Sequence, residues 1–204
     1  MSTASNKKYP TLQQTNAAVQ AVAGALGNTH YAIVGGAACT MLGSVRLTED
    51  VDFVVPKGET KAARALLKQK ETYFSIDKRT QHTTYRSEPN IEVEILTPPA
   101  LFKEEFTART PTYDVGGVRV LKPALLLNAK CGSLLGRATD DKKRTDSRDI
   151  NFLLQWCASH RQFPSTAEMS NATPAFVQYY IGTFGGEQHW KDAGYNIREG
   201  RWSH

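Results

Sequence analysis

The sequence predicts an α/β fold of the α+β kind, a small mixed β-sheet flanked by helices and followed by a helical C-terminal segment. Three observations predict it. Short β-prone runs alternate with amphipathic helical stretches as far as residue 121. After Pro123 the apolar residues recur only at helical spacing. The composition, 40% apolar and 22% charged over 204 residues, suits a chain that buries one core with a smaller lobe appended. The expected division is a sheet domain over 1–121, then a helical segment and irregular tail over 122–204 packed on it.

The elements follow in order. Thr11 to Leu26 carries Leu12, Ala18, Val19, Val22, Ala25 and Leu26 mostly three and four apart, with Gly27-Asn28 as a stop, which predicts a helix. Tyr31 to Val34 is a short strand that meets Gly35-Gly36 and passes into a helix over Ala37 to Leu42. Val51 to Val55 is a second strand, ended by Pro56. Gly58 to Lys70 is a surface helix rich in Ala, Leu, Lys and Arg. Tyr73 to Ile76, Thr83 to Arg86, Ile91 to Leu96 and Val118 to Leu121 are further short strands. Helices are predicted over Ala124 to Leu135, Ser147 to Ala158 and Thr173 to Tyr180, with an irregular end.

Several classes are set aside. No apolar run approaches the ~18 residues of a membrane span, and Met1 to Pro10 is polar, so neither a membrane partner nor a secretion signal is expected. Cytoplasmic placement is expected, with the nucleus as the alternative. Cys39, Cys131 and Cys157 lie far apart without a CxxC, which predicts buried thiols rather than disulfides or a zinc knuckle. The net charge of +5 favours polyanions without identifying one.

The chemistry concentrates in Ile33 to Val55. Asp50 and Asp52 lie two apart in an extended segment, so both carboxylates leave one face of the sheet while Val51 and Phe53 take the other. At ~5 Å and an effective dielectric near 20, such charges repel by roughly 3 kcal/mol, and a cation is needed between them. Oxygen-only ligands favour Mg²⁺ or Mn²⁺ over zinc. Gly35-Gly36, directly after a strand, lets backbone N–H groups approach phosphate oxygens. Ile91-Glu-Val-Glu-Ile-Leu96 supplies a third acid: alternation puts Glu92 and Glu94 on one face, with Glu94 preferred and Glu92 as its substitute. Together these describe a site for a metal-bound nucleotide.

On these residues the chain resembles the nucleotidyltransferases of the DNA polymerase β superfamily. Gly35-Gly36, Asp50-Val51-Asp52 and Glu92 or Glu94 match in order, and Arg46 to Phe53 looks like the minimal types, including abortive-infection toxin-type enzymes. The motifs run from about residue 31 to 96. The resemblance implies a catalytic domain over 1–121 that transfers a nucleoside monophosphate from Mg-NTP to an acceptor hydroxyl and releases pyrophosphate. Asp50, Asp52 and Glu94 would hold Mg²⁺ or Mn²⁺, with Glu94 taking the hydroxyl proton. Gly35, Gly36, Arg46, Thr48 and Lys130 would bind the nucleotide. The acceptor is left open between RNA, protein and a small molecule, as is the oligomeric state. Two departures stand out: Gly36 occupies a position where many relatives carry a serine, and the third acid is Glu where Asp is commoner. The competing class is a catalytically silent nucleotide- or RNA-binding module, a sensor or antitoxin-like partner, on the same fold. Acids that bind metal for structure alone are a third reading.

Blander roles stand beside these. Arg46 equally balances Glu49, Asp50 and Asp52, and Thr48 reads as a turn residue. Lys130 on an apolar helix either snorkels or meets phosphates. Lys130, Arg137, Lys143, Asp146 and Asp149 loosely resemble the Lys-, Arg- and Asp-rich helices that follow the sheet in the family. Arg137 to Arg148, with five basic and three acidic residues, reads as a solvated loop between helices, with a nucleic-acid patch as the alternative. The histidines show no ligand spacing. Trp190, Tyr195 and Trp202 read first as packing residues, with base stacking and self-association as the alternatives.

Overall fold

The computed structural model describes residues 9–203. The chain divides after Val120 into two compact units.

In the first unit, α1 (Leu12–Leu26) is opened by a reciprocal cap. The Thr11 hydroxyl accepts from the Gln14 N–H, and the Gln14 side chain accepts from the Thr11 N–H. β1 (Ala32–Val34) runs straight into α2 (Gly35–Met41), followed by β2 (Asp50–Val54), α3 (Thr60–Lys68), β3 (Phe74–Ile76), β4 (Thr83–Tyr85), β5 (Ile91–Leu96), β6 (Thr112–Val115) and β7 (Val118–Leu121). The seven strands form one sheet in the order β3-β4-β5-β2-β1-β7-β6. It is mixed: β2 runs antiparallel to β1 and parallel to β5, while β4 is antiparallel to both its neighbours. Period-two alternation buries Val51 and Phe53 of β2 and Ile91, Val93 and Ile95 of β5. α1 packs on β2 and α3 on β5, bringing Val19, Val22, Ala63 and Leu67 into the same core. On the opposite face Asp50 and Asp52 of β2 are half-buried and Glu92 and Glu94 of β5 are exposed, while Val54 at the end of β2 is buried.

β6 is absent from the sequence expectation. It is an edge strand with no buried residue, so no apolar alternation marks it. Its hairpin with β7 turns on Gly116-Gly117, both at positive φ, as a two-residue hairpin of the primed type requires.

The second unit is helical: α4 (Pro123–Leu134), α5 (Asp140–Ser159), a 3₁₀ turn (Thr166–Glu168), α6 (Pro174–Phe184) and α7 (Glu187–Asp192), then a hairpin of β8 (Tyr195–Asn196) and β9 (Arg201–Trp202). Two expectations are corrected. Arg137 to Arg148 is not a loop between helices, because α5 starts at Asp140, with Thr139 as its N-cap and Asp140 and Asp141 in its first turn. The tail is not irregular either. Trp190 is fully buried at the centre of a ring cluster, 5.6 Å from Tyr180, 5.7 Å from Tyr195 and 5.9 Å from Trp202, centroid to centroid. Trp190, Tyr195 and Trp202 therefore pack a core, together with Tyr180. The short helix and two-residue strands are held by that cluster and carry no periodicity of their own. Cys39, Cys131 and Cys157 are free and buried, as expected. No helix among the described residues is long and apolar enough to cross a membrane.

Candidate active site

The site is built where β1 ends. Gly35 has a φ of 63°, a left-handed conformation that favours glycine, and an added Cβ would run into the Asp52 carboxylate. At Gly36 an added Cβ would lie 2.5 Å from Arg46 Nη2 and 2.6 Å from Thr48 Oγ1. The two glycines thus admit three side chains of the following segment, and the space a serine at 36 would need is held by Arg46 and Thr48. Thr48 is buried and donates its hydroxyl to Asp50 Oδ1 at 3.1 Å. Arg46 Nη1 donates to the Leu47 carbonyl at 2.8 Å.

The register of β2 on β5 sets the rest. Asp50 stands opposite Glu92, and Asp52 opposite Glu94. Paired residues on neighbouring strands share a face, so the four carboxylates leave one side of the sheet from two strands whose backbones lie about 4.8 Å apart. Asp50 and Asp52 are half-buried and Glu92 and Glu94 exposed. Among the described residues no three Asp, Glu, His or Cys side chains converge as a ready cation cage. The residues nevertheless fit a hard divalent ion. The donors are all carboxylate oxygens, two strands present them in register, and Gly35 leaves open the space beside Asp52.

Of the predicted site residues, Gly35, Gly36, Arg46, Thr48, Asp50, Asp52, Glu92 and Glu94 are thus gathered in the first unit. Lys130 belongs to the second, on α4, where its ammonium lies 2.9 Å from Asp146 Oδ1 and 2.8 Å from Asp149 Oδ2. Arg137 Nε reaches Asp146 Oδ2 at 2.5 Å, and the Ser133 hydroxyl donates to the same oxygen at 3.0 Å. Burial pushes the Asp146 carboxyl up, but the Arg137 hydrogen bond and the Lys130 charge outweigh it and hold it below the ordinary aspartate range. Lys130 is 11% exposed and does not snorkel; two buried carboxylates already match its charge. Lys143 stays outside this network, 4.0 Å from Asp140.

No family model matches the sequence, and no curated protein does. Solved structures match its shape. An antigenic nucleotidyltransferase-like protein from Paracoccidioides brasiliensis superposes with a TM-score of 0.67 at 23% identity, over 91% of this chain and 94% of that one. The chain has a nucleotidyltransferase-like fold. JHP933 from Helicobacter pylori gives 0.58 at 18% identity over 85% and 78% of the two chains. ANT(2")-Ia, solved in complex with adenylyl-2"-tobramycin, gives 0.50 at 15% identity over 82% and 99%. At these identities the likeness is one of fold, and the fold is the one that the resemblance to the DNA polymerase β superfamily implied.

Within this nucleotidyltransferase-like fold, one residue near the acids carries little signal in the sequence. Arg64 of α3 lines a cleft of about 250 Å³ together with Glu92, Glu94, Thr80 and His82. Its mark in the sequence is the basic spacing Lys61, Arg64, Lys68, which a surface helix explains equally well. Only the packing of α3 beside β5 brings it to the glutamates.

Proposed function

We propose that this chain transfers a nucleoside monophosphate from a metal-bound NTP to an acceptor hydroxyl, releasing pyrophosphate. The observation that carries the reading is the register that sets Asp50 and Asp52 beside Glu92 and Glu94 while Gly35 makes room for Asp52. Asp50, Asp52 and Glu94 would hold one or two Mg²⁺ or Mn²⁺ ions, with Glu92 as the substitute third ligand. Bound there, the metal neutralises triphosphate charge and polarises the phosphoryl group under attack. The backbone N–H groups of Gly35 and Gly36 bind phosphate oxygens, and Arg46 and Thr48 complete that wall. Glu94, directly opposite Asp52, accepts the proton of the acceptor hydroxyl as its oxygen bonds to the α-phosphorus. The bond from that phosphorus to the pyrophosphate oxygen breaks. Lys130 keeps a place in the nucleotide set only if a phosphate displaces one of its two aspartates.

The acceptor is read no further than its hydroxyl, which RNA, proteins and small molecules all supply; the tobramycin adduct bound to ANT(2")-Ia shows a small-molecule case in that protein. The test is calorimetric titration of each NTP with Mg²⁺ into wild-type protein and Asp50→Ala/Asp52→Ala, followed by pyrophosphate release with candidate acceptors. Metal-dependent binding lost in the variant supports the reading. Full pyrophosphate release by the variant overturns it.

A second reading, favoured by the lack of three converging ligands among the described residues, is a catalytically silent nucleotide- or RNA-binding module. It predicts NTP binding with no pyrophosphate released for any acceptor.

A further inference from the structure

Residues 57–86 contain eight lysines and arginines against three aspartates and glutamates, an excess equal to the +5 of the whole chain. The fold gathers five of these cations around one cleft of about 410 Å³: Lys61, Arg64 and Lys68 from α3, with Lys78 and Arg86 across from them near β3 and β4. Glu71 is the single acid among the residues lining it. Among the described residues none of the five cations enters an ion pair. Arg86 Nε donates to the Glu71 carbonyl at 3.2 Å. Arg64 Nε, however, is shut off from solvent and has no hydrogen-bond partner. Convergent like charges repel, so the protein leaves this cleft to be completed by an anion from outside.

The shape of the charge selects the anion. Lys61, Arg64 and Lys68 fall at i, i+3 and i+7, along one face of α3, and span about 10 Å of its axis. A row of that length matches successive phosphates of a chain, whereas a lone phosphate is satisfied at one point. The cleft is concave, which excludes the flat surface of a bilayer. The aromatic ring lining it, Phe74, is buried and offers bases no open platform, so contact is with the backbone. We propose that this cleft binds the sugar-phosphate backbone of a single-stranded nucleic acid, without preference for base. The surface stands independently of the proposed transfer reaction.

Fluorescence anisotropy of short labelled oligo(U) and oligo(A) with the full chain tests it. Both oligomers are expected to bind within about threefold of each other, with log K falling against log salt at a slope of about −2 to −3.5 for three to five phosphate contacts. Lys61→Ala/Lys68→Ala is expected to weaken binding on the order of tenfold and to flatten that slope by about 1.4. Lys78→Ala, on the opposite wall, is expected to flatten it by about 0.7 and serves alone if circular dichroism shows the double variant unfolded. Asp50→Ala/Asp52→Ala is expected to bind the strand as wild type does, which separates this surface from the transfer site. Four results each overturn the proposal: no salt-dependent binding by wild type; unchanged affinity in folded lysine variants; displacement by inorganic phosphate at matched ionic strength, which assigns a small-phosphate site; and equal binding of polyglutamate, which assigns an acidic polypeptide.

Discussion

Asp146 and Asp149 in the helical unit and Asp50 and Asp52 in the sheet unit are both closely spaced acid pairs, and the fold treats them in opposite ways. The helical pair is each about 1% exposed, enclosed by Lys130, Arg137 and Ser133. The sheet pair is half-buried and faces two more carboxylates, Glu92 and Glu94. A carboxylate removed from water must be met by cations and donors of the protein itself, and such a pair is then part of the architecture. Carboxylates kept near solvent, and set beside further carboxylates, raise the local negative charge at a cost that a bound cation would repay. The first arrangement holds α4 and α5 together; the second is arranged for a ligand.

The comparison can be broken most directly at Lys130. Lys130→Met leaves two buried carboxylates short of a cation and is expected to cost about 3–5 kcal/mol in urea unfolding. Near-normal stability with lost NTP affinity would instead make Lys130 a nucleotide ligand and dissolve the contrast. At the sheet pair the effect should move from stability to chemistry. Asp52→Asn is expected to lower turnover by on the order of a hundredfold or more while thermal unfolding stays within about 1 kcal/mol of wild type, because the side chain is only half-buried and the amide keeps its shape. A large loss of stability there would mean that Asp52 is structural after all.

The glycine wall gives a smaller effect. Gly36→Ser places a Cβ against Arg46 and Thr48 and is expected to cost about 1–3 kcal/mol, part of it recovered by adding Thr48→Ala. No cost in the single variant would show that Arg46 and Thr48 move aside freely. The smallest difference lies in pH. The folded Asp146 carboxyl is held below its ordinary value, so its contribution to stability is fully present above the usual aspartate pKa of ~3.9 and is lost as pH falls through the lower folded value. Melting temperatures measured downward from neutral pH are expected to fall less steeply for Asp146→Asn than for wild type across that range.

Much of the candidate site was legible because it is local. Strand, double glycine, helix and two alternating acids fall within about twenty consecutive residues, and the period of two along β2 and β5 decides which side chains share a face. What lay outside that reach has a common cause. The start of α5 carries charged rather than apolar residues, because its buried polar side chains, Asp146 and Asp149, are answered from α4 and from Arg137 rather than by a hydrophobic stripe. α7 and the β8–β9 hairpin are too short to show a period and exist because Trp190 draws Phe176, Tyr180, Tyr195 and Trp202 around it. The basic residues of the cleft lie within one stretch, 61–86, but only the packing of α3 against β3 and the turns around it makes them face one another.

The sequence by itself determined the mixed α/β class, the order of most elements and the faces on which Asp50, Asp52, Glu92 and Glu94 lie, since these follow from local periodicity and from the turn that Gly35-Gly36 permits. Only the tertiary structure decided that Asp50 meets Glu92 and Asp52 meets Glu94, that Arg46 and Thr48 fill the space above Gly36, and that Lys130 is enclosed by two aspartates. Strand register and charge pairing depend on which distant segments are brought within a few ångströms, and Coulomb and contact energies at that range are set by position in space rather than by spacing along the chain.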